Sequence, residues 1–343
     1  MAEKPTWARV DFPALEDAET DPVHVRKALL SRADSGRIFW NLDSPRSYVR
    51  GAVYENGGRL VDTSQRPGGT GADLVLTVNP PFISPEERAD ALELVRSGSW
   101  LYLGHWMQGF GHFIVETIPM LWALKTMPDV RFDGVVAHRF TSRRRFDWQN
   151  EFVVRLLDGL QIDVVDSRPA CYEHLYVGGR AYKYQRAISR RAVDAWDAIA
   201  ESVDGTNPRP PLKVFFSRTA FSRDQPSGAR GYRNTAAVDD LFRERGFAVV
   251  FPEELSVTEQ IQVARDAHYI AGPGGSALHL AAFARGAHVI ELGDTRSRDH
   301  LVATQRAIAA VKRQPIAHIP YGEAADGGLD LSALEQSLDS LGV

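Results

Sequence analysis

From Lys213 to Leu292 the sequence alternates short apolar runs with amphipathic stretches, and this alternation restricts the fold more tightly than any other feature of the chain. Lys213 to Ser217, Phe247 to Phe251, Tyr269 to Ala271 and His288 to Leu292 each read as a buried strand. Between them, Thr235 to Arg245 carries helical spacing and is closed by Gly246. Ser256-Val257-Thr258-Glu259 is a capping box that opens a second helix, and a third is expected over Ser276 to Ala284. Strand and helix alternating in this order predict an α/β fold: a parallel sheet covered by helices on both faces, with a ligand crevice at the carboxyl ends of the strands.

The proline-rich stretch Thr206-Asn207-Pro208-Arg209-Pro210-Pro211-Leu212 precedes the first of these strands and reads as a linker. It divides the 343 residues into an N-terminal α/β half, 1–206, and a C-terminal half, 207–343. About two domains of roughly 150 residues are what such a length suits. Upstream, Ser84-Pro85-Glu86-Glu87 starts a helix with an N-cap, a proline at the first helical position and an acidic first turn. Strands are expected at Trp100 to Gly104, Gly134 to Ala137 and Ile162 to Val165. Helices are expected at His112 to Lys125, Arg144 to Leu160 and Arg190 to Val203. A further strand, Ala72 to Val78, is expected beyond turns at Asp34-Ser35-Gly36, Asn56-Gly57-Gly58 and Pro67-Gly68-Gly69. The last helix, Leu331 to Leu341, could return to either half.

Composition excludes several classes. A net charge of −4 argues against a general nucleic-acid binder. The single cysteine, Cys171, forbids an intramolecular disulfide and a cysteine-rich metal site, and it reads as a small core residue. The first seven residues lack the apolar region of a signal peptide, and no stretch approaches the roughly 18 apolar residues of a membrane span. A cytoplasmic protein is the expectation, with peripheral contact at the inner face of a membrane left open.

Three clusters carry chemistry. In Gly272-Pro273-Gly274-Gly275-Ser276-Ala277, glycine permits positive φ and close approach of a ligand to the backbone, and a helix start aims N–H groups at one spot. Phosphate suits such a spot; a plain tight turn with Ser276 as N-cap is the simpler alternative. Gly272, Gly274 and Ala277 also fit the dinucleotide fingerprint, with Glu291 as the ribose-binding acid. That fingerprint belongs on the first strand–helix turn of its domain, and here two such units precede it, which disfavours NAD(P). Glu291 could equally pair with Arg296 or Arg298. The second cluster is Arg218, at the end of a strand, with Arg233-Asn234 downstream; guanidinium forks suit phosphate. Arg223 and Arg230, and the group Arg139, Arg143, Arg144 and Arg145, read as solvated. In the third, His112 and Glu116 lie four apart, on one face of a helix. They suit general-base work on a hydroxyl, or two ligands of a metal for which no third ligand is evident nearby.

Three segments together resemble glycosyltransferase family 61. They are Gly111-His112-Phe113 through Glu116 to Leu121; Ser217-Arg218 with Arg233-Asn234; and Phe251 to Ile261, followed by the glycine turn and Val289-Ile290-Glu291-Leu292. The resemblance implies a GT-B architecture of two Rossmann-like domains facing across a cleft. It implies an inverting transferase that takes a nucleotide-sugar, often UDP-linked, without a bound metal or other cofactor. Its acceptor would be a saccharide or lipid-linked saccharide in surface-polysaccharide or glycoconjugate assembly. It places Arg218, Asn234, Glu259, Glu291 and the turn Gly274, Gly275, Ser276 and Ala277 near the donor, and makes His112 or Glu116 the base. Family members often carry Gly-x-His-Gly in the turn, whereas this chain has Gly274. That departure points to a different donor, to compensation by His279 or Arg218, or to a weakened enzyme. A nucleotide-sugar epimerase, an NAD(P)-dependent dehydrogenase and a non-catalytic glycan- or partner-binding domain are the alternatives.

Overall fold

A computed structural model describes residues 5–33, 51–66, 79–140, 147–157, 159–203, 211–224, 232–295, 297–324 and 327–343. The expected strand at 72–78, the turns at 34–36 and 67–69, most of the 206–212 linker, Arg143 to Arg145, Arg230 and Arg296 lie outside the described residues. Two compact units emerge, Pro13–Ala198 and a second formed by Met1–Phe12 with Ile199–Val343.

In the first unit the strands are β1 (Val23–Leu30), β2 (Val53–Tyr54), β3 (Val95–Trp106), β4 (Gly134–Arg139), β5 (Gln161–Val165) and β6 (Ala170–Val177), with a small hairpin of β7 (Tyr182–Lys183) and β8 (Ala187–Ile188). The six-stranded sheet runs β2-β1-β6-β3-β4-β5. β6, β3, β4 and β5 are parallel, and β1 and β2 add an antiparallel edge, so the sheet is mixed. β6 escapes a reading of apolar runs because Glu173 and His174 interrupt it. His174 meets His24 of β1 at 3.2 Å. The core beneath joins Val25, Leu30, Trp100, Tyr102, Val136, Tyr172 and Leu175. β3 is central and long; from Trp100 to Trp106 every residue is buried. Its carboxyl end delivers the chain into the segment that carries His112.

That segment is not the single helix that the spacing predicts. An α-turn, Phe110–His112, passes into a π-helical turn, Phe113–Thr117, then a 3-10 turn, Ile118–Leu121, then a short α-helix, Trp122–Thr126. Pro119 is the physical reason: it has no N–H to give the Val115 carbonyl, so the ladder changes register around it. The Ile118 N–H bonds the Phe113 carbonyl instead. π-turns of this kind recur at functional sites. Thr117 Oγ1 donates to the His105 carbonyl (3.0 Å) and the Trp196 indole donates to the Ile114 carbonyl (2.8 Å), which fixes the segment against β3 and the helix Arg191–Ser202.

The second unit contains β9 (Lys213–Phe216), β10 (Ala248–Val250), β11 (Tyr269–Pro273), β12 (His288–Leu292) and β13 (Ile316–Ile319). Every pair is parallel and the order is β10-β9-β11-β12-β13, as the alternation predicts for a parallel sheet. Strand order reverses between β9 and β11, and in open α/β sheets ligands collect at the carboxyl ends flanking such a reversal. The helix Leu331–Leu341 packs on Thr235–Glu244 through Leu334, Leu338, Val238 and Phe242. The first residues join the same unit: Ala8 pairs with Ile316, and the Trp7 indole donates to the Leu341 carbonyl at 3.1 Å. One expected helix differs. Ser276 to Ala284 contains a six-residue 3-10 helix, Leu278–Phe283, buried throughout, and the dipole at its start is correspondingly small.

Candidate functional site

In the first unit the site is built around Glu116. Its carboxylate takes both forks of Arg66, Nε to Oε2 at 2.7 Å and Nη2 to Oε1 at 2.9 Å, and Oε1 also lies 2.7 Å from His112 Nδ1. The Glu116 side chain is 1% exposed and that of His112 is 42% exposed. Arg66 is buried and lies over the rings of Phe140 and Tyr184. The His112 ring is 5.0 Å from that of Tyr184. Behind them, Arg180 donates from Nη2 to His105 Nδ1 (3.0 Å) and from Nε to the Gln65 carbonyl (3.0 Å). Gly104, at φ +72°, lets β3 pass within van der Waals reach of the Arg180 guanidinium.

Electrostatics separate the two expected bases. Burial alone would raise the Glu116 carboxyl, but the Arg66 charge and the hydrogen bonds from His112 and Arg66 outweigh it and hold the group far below the usual carboxylate range. Burial likewise works against the Arg66 charge, and Glu116 more than restores it. Burial pulls Arg180 down to about 10, against the raising effect of the Glu116 charge. Glu116 is therefore a weak proton acceptor, sealed from solvent and placed to orient His112. Its carboxylate is occupied by both forks of Arg66. Among the described residues no three His, Cys, Asp or Glu side chains are grouped to hold a metal ion.

In the second unit Arg218 stands at the end of β9, and Gly275, at φ +151°, lies beside it: a Cβ there would sit 3.8 Å from Arg218 Nη1. The strand order thus brings Arg218 and the glycine turn together. Gly274 N–H is held by the Leu292 carbonyl at 2.9 Å, whereas the N–H groups of Gly275, Ser276 and Ala277 find no backbone acceptor among the described residues. A pocket at this end is lined by Phe215, Ser217, Arg218, Tyr232, Thr235, Asp239 and Pro273. Asp239 accepts from Thr219 Oγ1 at 2.7 Å.

Three expected donor residues have other partners. Glu259 is exposed and closes the capping box, accepting from the Ser256 backbone (2.9 Å) and hydroxyl (2.8 Å). Asn234 clamps Leu329 with both ends of its amide, at 2.8 and 2.7 Å. Glu291 is fully buried beneath the turn and accepts from the Val302 N–H at 2.7 Å, with His318 at 3.7 Å, while Arg298 reaches Glu323. The turn is tight at Gly274: a Cβ there would stand 3.0 Å from Val302 Cγ2 and 3.3 Å from the Glu291 carboxylate, so a side chain requires one of them to shift. His279 is buried, with Nδ1 3.0 Å from Gln305 Oε1. Sequence reasoning missed Arg66, fifty residues from its partner and without periodicity to mark it. It also missed Asp239, whose signal was a carboxylate one residue from Val238 on a helix face that is otherwise buried.

The sequence pattern of the family described as Glycosyltransferase 61 matches residues 110–290, more than half of the chain. The chain belongs to glycosyltransferase family 61. The matched span includes His112 and Glu116 in one unit and Arg218 with the glycine turn in the other, while Arg66 and Glu291 fall outside it. No curated protein matches the chain. Among solved structures, the bacterial iron-containing dodecameric glycosyltransferase TibC from enterotoxigenic E. coli H10407 is similar over 82% of this chain and 78% of its own, at 11% identity and a TM-score of 0.32, a likeness too distant to carry an argument. Among the described residues no helix of this family 61 member is long and apolar enough to cross a membrane.

Proposed function

We propose that this family 61 glycosyltransferase is an inverting enzyme of GT-B type, moving a sugar from a nucleotide-sugar, UDP-linked as the expected class, to a hydroxyl of a saccharide or lipid-linked saccharide. The observation that carries the reading is the contact chain Arg66–Glu116–His112. An ionised Glu116 accepts the Nδ1–H of His112, which leaves the Nε2 lone pair available and stabilises the imidazolium once it forms. The acceptor hydroxyl then gives its proton to Nε2 as its oxygen attacks the anomeric carbon. The bond from that carbon to the phosphate oxygen breaks on the opposite face, and its electron pair leaves with the nucleotide. Arg218 and the N–H groups of Gly275, Ser276 and Ala277 are the groups suited to the charge that develops on the leaving phosphate. No cofactor is invoked beyond the donor. A role in surface-polysaccharide or glycoconjugate assembly at the inner face of a membrane belongs to the same reading.

Calorimetric titration with UDP-, GDP-, CMP- and dTDP-sugars, alongside NAD⁺ and NADP⁺, tests it. One nucleotide-sugar class is expected to bind, with affinity at least about tenfold lower in Arg218→Ala, the loss of a charge-assisted contact. Binding of NAD⁺ or NADP⁺ alone would replace the transferase reading with a dehydrogenase.

A further inference from the structure

The pocket at the carboxyl ends of β9 and β11 contains a group with no role in the chemistry above. Tyr232 is 7% exposed, and its hydroxyl has no hydrogen-bond partner among the described residues. A buried donor left unpaired is destabilising, and native structures rarely keep one without a use. The ring is fixed in place, stacked on Tyr321 at 6.5 Å with planes 19° apart. The carboxylate in the lining, Asp239, instead accepts from the Thr219 hydroxyl at 2.7 Å, which itself accepts from Ser217 Oγ at 3.1 Å. Burial, and after it the Asp239 charge, push the phenol above its ordinary value, so it stays protonated at working pH. It is a fixed O–H in a pocket that Arg218 also lines.

We propose that Tyr232 is a donor-substrate contact, its O–H donating to a phosphate oxygen of a nucleoside diphosphate beside the Arg218 guanidinium. The proposal rests on the nucleotide-sugar reading. A phosphate oxygen fits better than a sugar hydroxyl or a base N–H for a reason of donors and acceptors. The pocket offers the phenol O–H and the guanidinium as donors, while the one carboxylate in its lining already accepts from the Thr219 hydroxyl. A group that must itself donate is poorly served there; an oxygen bearing negative charge is well served.

Tyr232→Phe removes the hydroxyl and nothing else. Thermal melting of the unliganded protein should show the variant at or above the wild-type midpoint, because no bond is lost. Titration with UDP, GDP, CDP, ADP and dTDP, each beside its free nucleoside, should show the diphosphate that the wild type prefers bound about ten- to a hundredfold more weakly by the variant, as for a hydrogen bond to a charged group. Affinity for the free nucleoside should be unchanged. Three results would overturn the proposal: diphosphate affinity equal to wild type, an equal loss for nucleoside and diphosphate, or a clearly lowered melting point, which would make the hydroxyl structural. If the wild type binds none of the five diphosphates, the nucleotide-sugar reading itself fails, an outcome distinct from a failure of the Tyr232 contact alone.

Discussion

A carboxylate that receives both forks of a buried guanidinium keeps its charge, and one that keeps its charge is a weak base. Arg66 in this way divides the labour between two residues that sequence spacing leaves equivalent: Glu116 holds, and His112, with its side chain 42% exposed, faces outward. Arg66→Ala would leave Glu116 buried without its partner, and such a break destabilises by about 3–5 kcal/mol. Urea unfolding of the variant checks this; a loss under about 1 kcal/mol would mean that solvent already reaches the pair. The residue scale also shows where sequence legibility stops. His112, Glu116 and Arg218 were visible through residue type and spacing. Arg66 was not, because what links it to Glu116 is the path of the chain through β3 and not any local pattern.

Among the elements, the capping box over Ser256 and Glu259 was legible because its geometry is local, and that same locality takes Glu259 away from the donor. The glycine turn was legible as a turn, but what lies under it was not. Glu291 and Val302 pack against Gly274 so closely that a side chain must displace one of them. Gly274→Ala is expected to lose about 1–3 kcal/mol through overpacking. Gly274→His, the larger substitution, should lose more, and adding Val302→Ala should recover part of it. Thermal melting of the three proteins decides the matter; a Gly274→His variant as stable as wild type would show that the turn yields freely. Spacing predicts one helix from His112 to Lys125, whereas the segment is broken, although the cause, Pro119, stands in the sequence. Apolar spacing registers which face is buried and is blind to how the backbone ladder adjusts around a missing N–H.

At the scale of the molecule, the parallel sheet of the C-terminal unit followed from the alternation of strand and helix, but its completion did not. β13, and the first residues that pair with it, are joined by contacts spanning more than three hundred residues, as between Trp7 and Leu341. Stability against acid also belongs to this scale. His138 is buried, with Nε2 on the Ser31 carbonyl at 2.9 Å and Nδ1 on the Tyr102 hydroxyl at 2.7 Å, and burial pushes its imidazole down to about 4. The unfolded chain takes up this proton near ~6.5. Between those values the unfolded state binds more protons, so stability rises with pH. The contribution of His138 is complete above ~6.5 and disappears as pH falls towards about 4, a change on the order of 3 kcal/mol. Urea unfolding from pH 7 to pH 4.5 should show this slope and His138→Gln should flatten it; an unchanged slope in the variant would assign the effect to other groups. The transferase account itself stands or falls on His112. Its most direct test is steady-state sugar transfer by wild type and His112→Ala, with donor affinity measured on both. The account predicts kcat lower by about 10²–10⁴-fold, as for loss of a general base, with donor affinity within about threefold. A variant that turns over at the wild-type rate would contradict it.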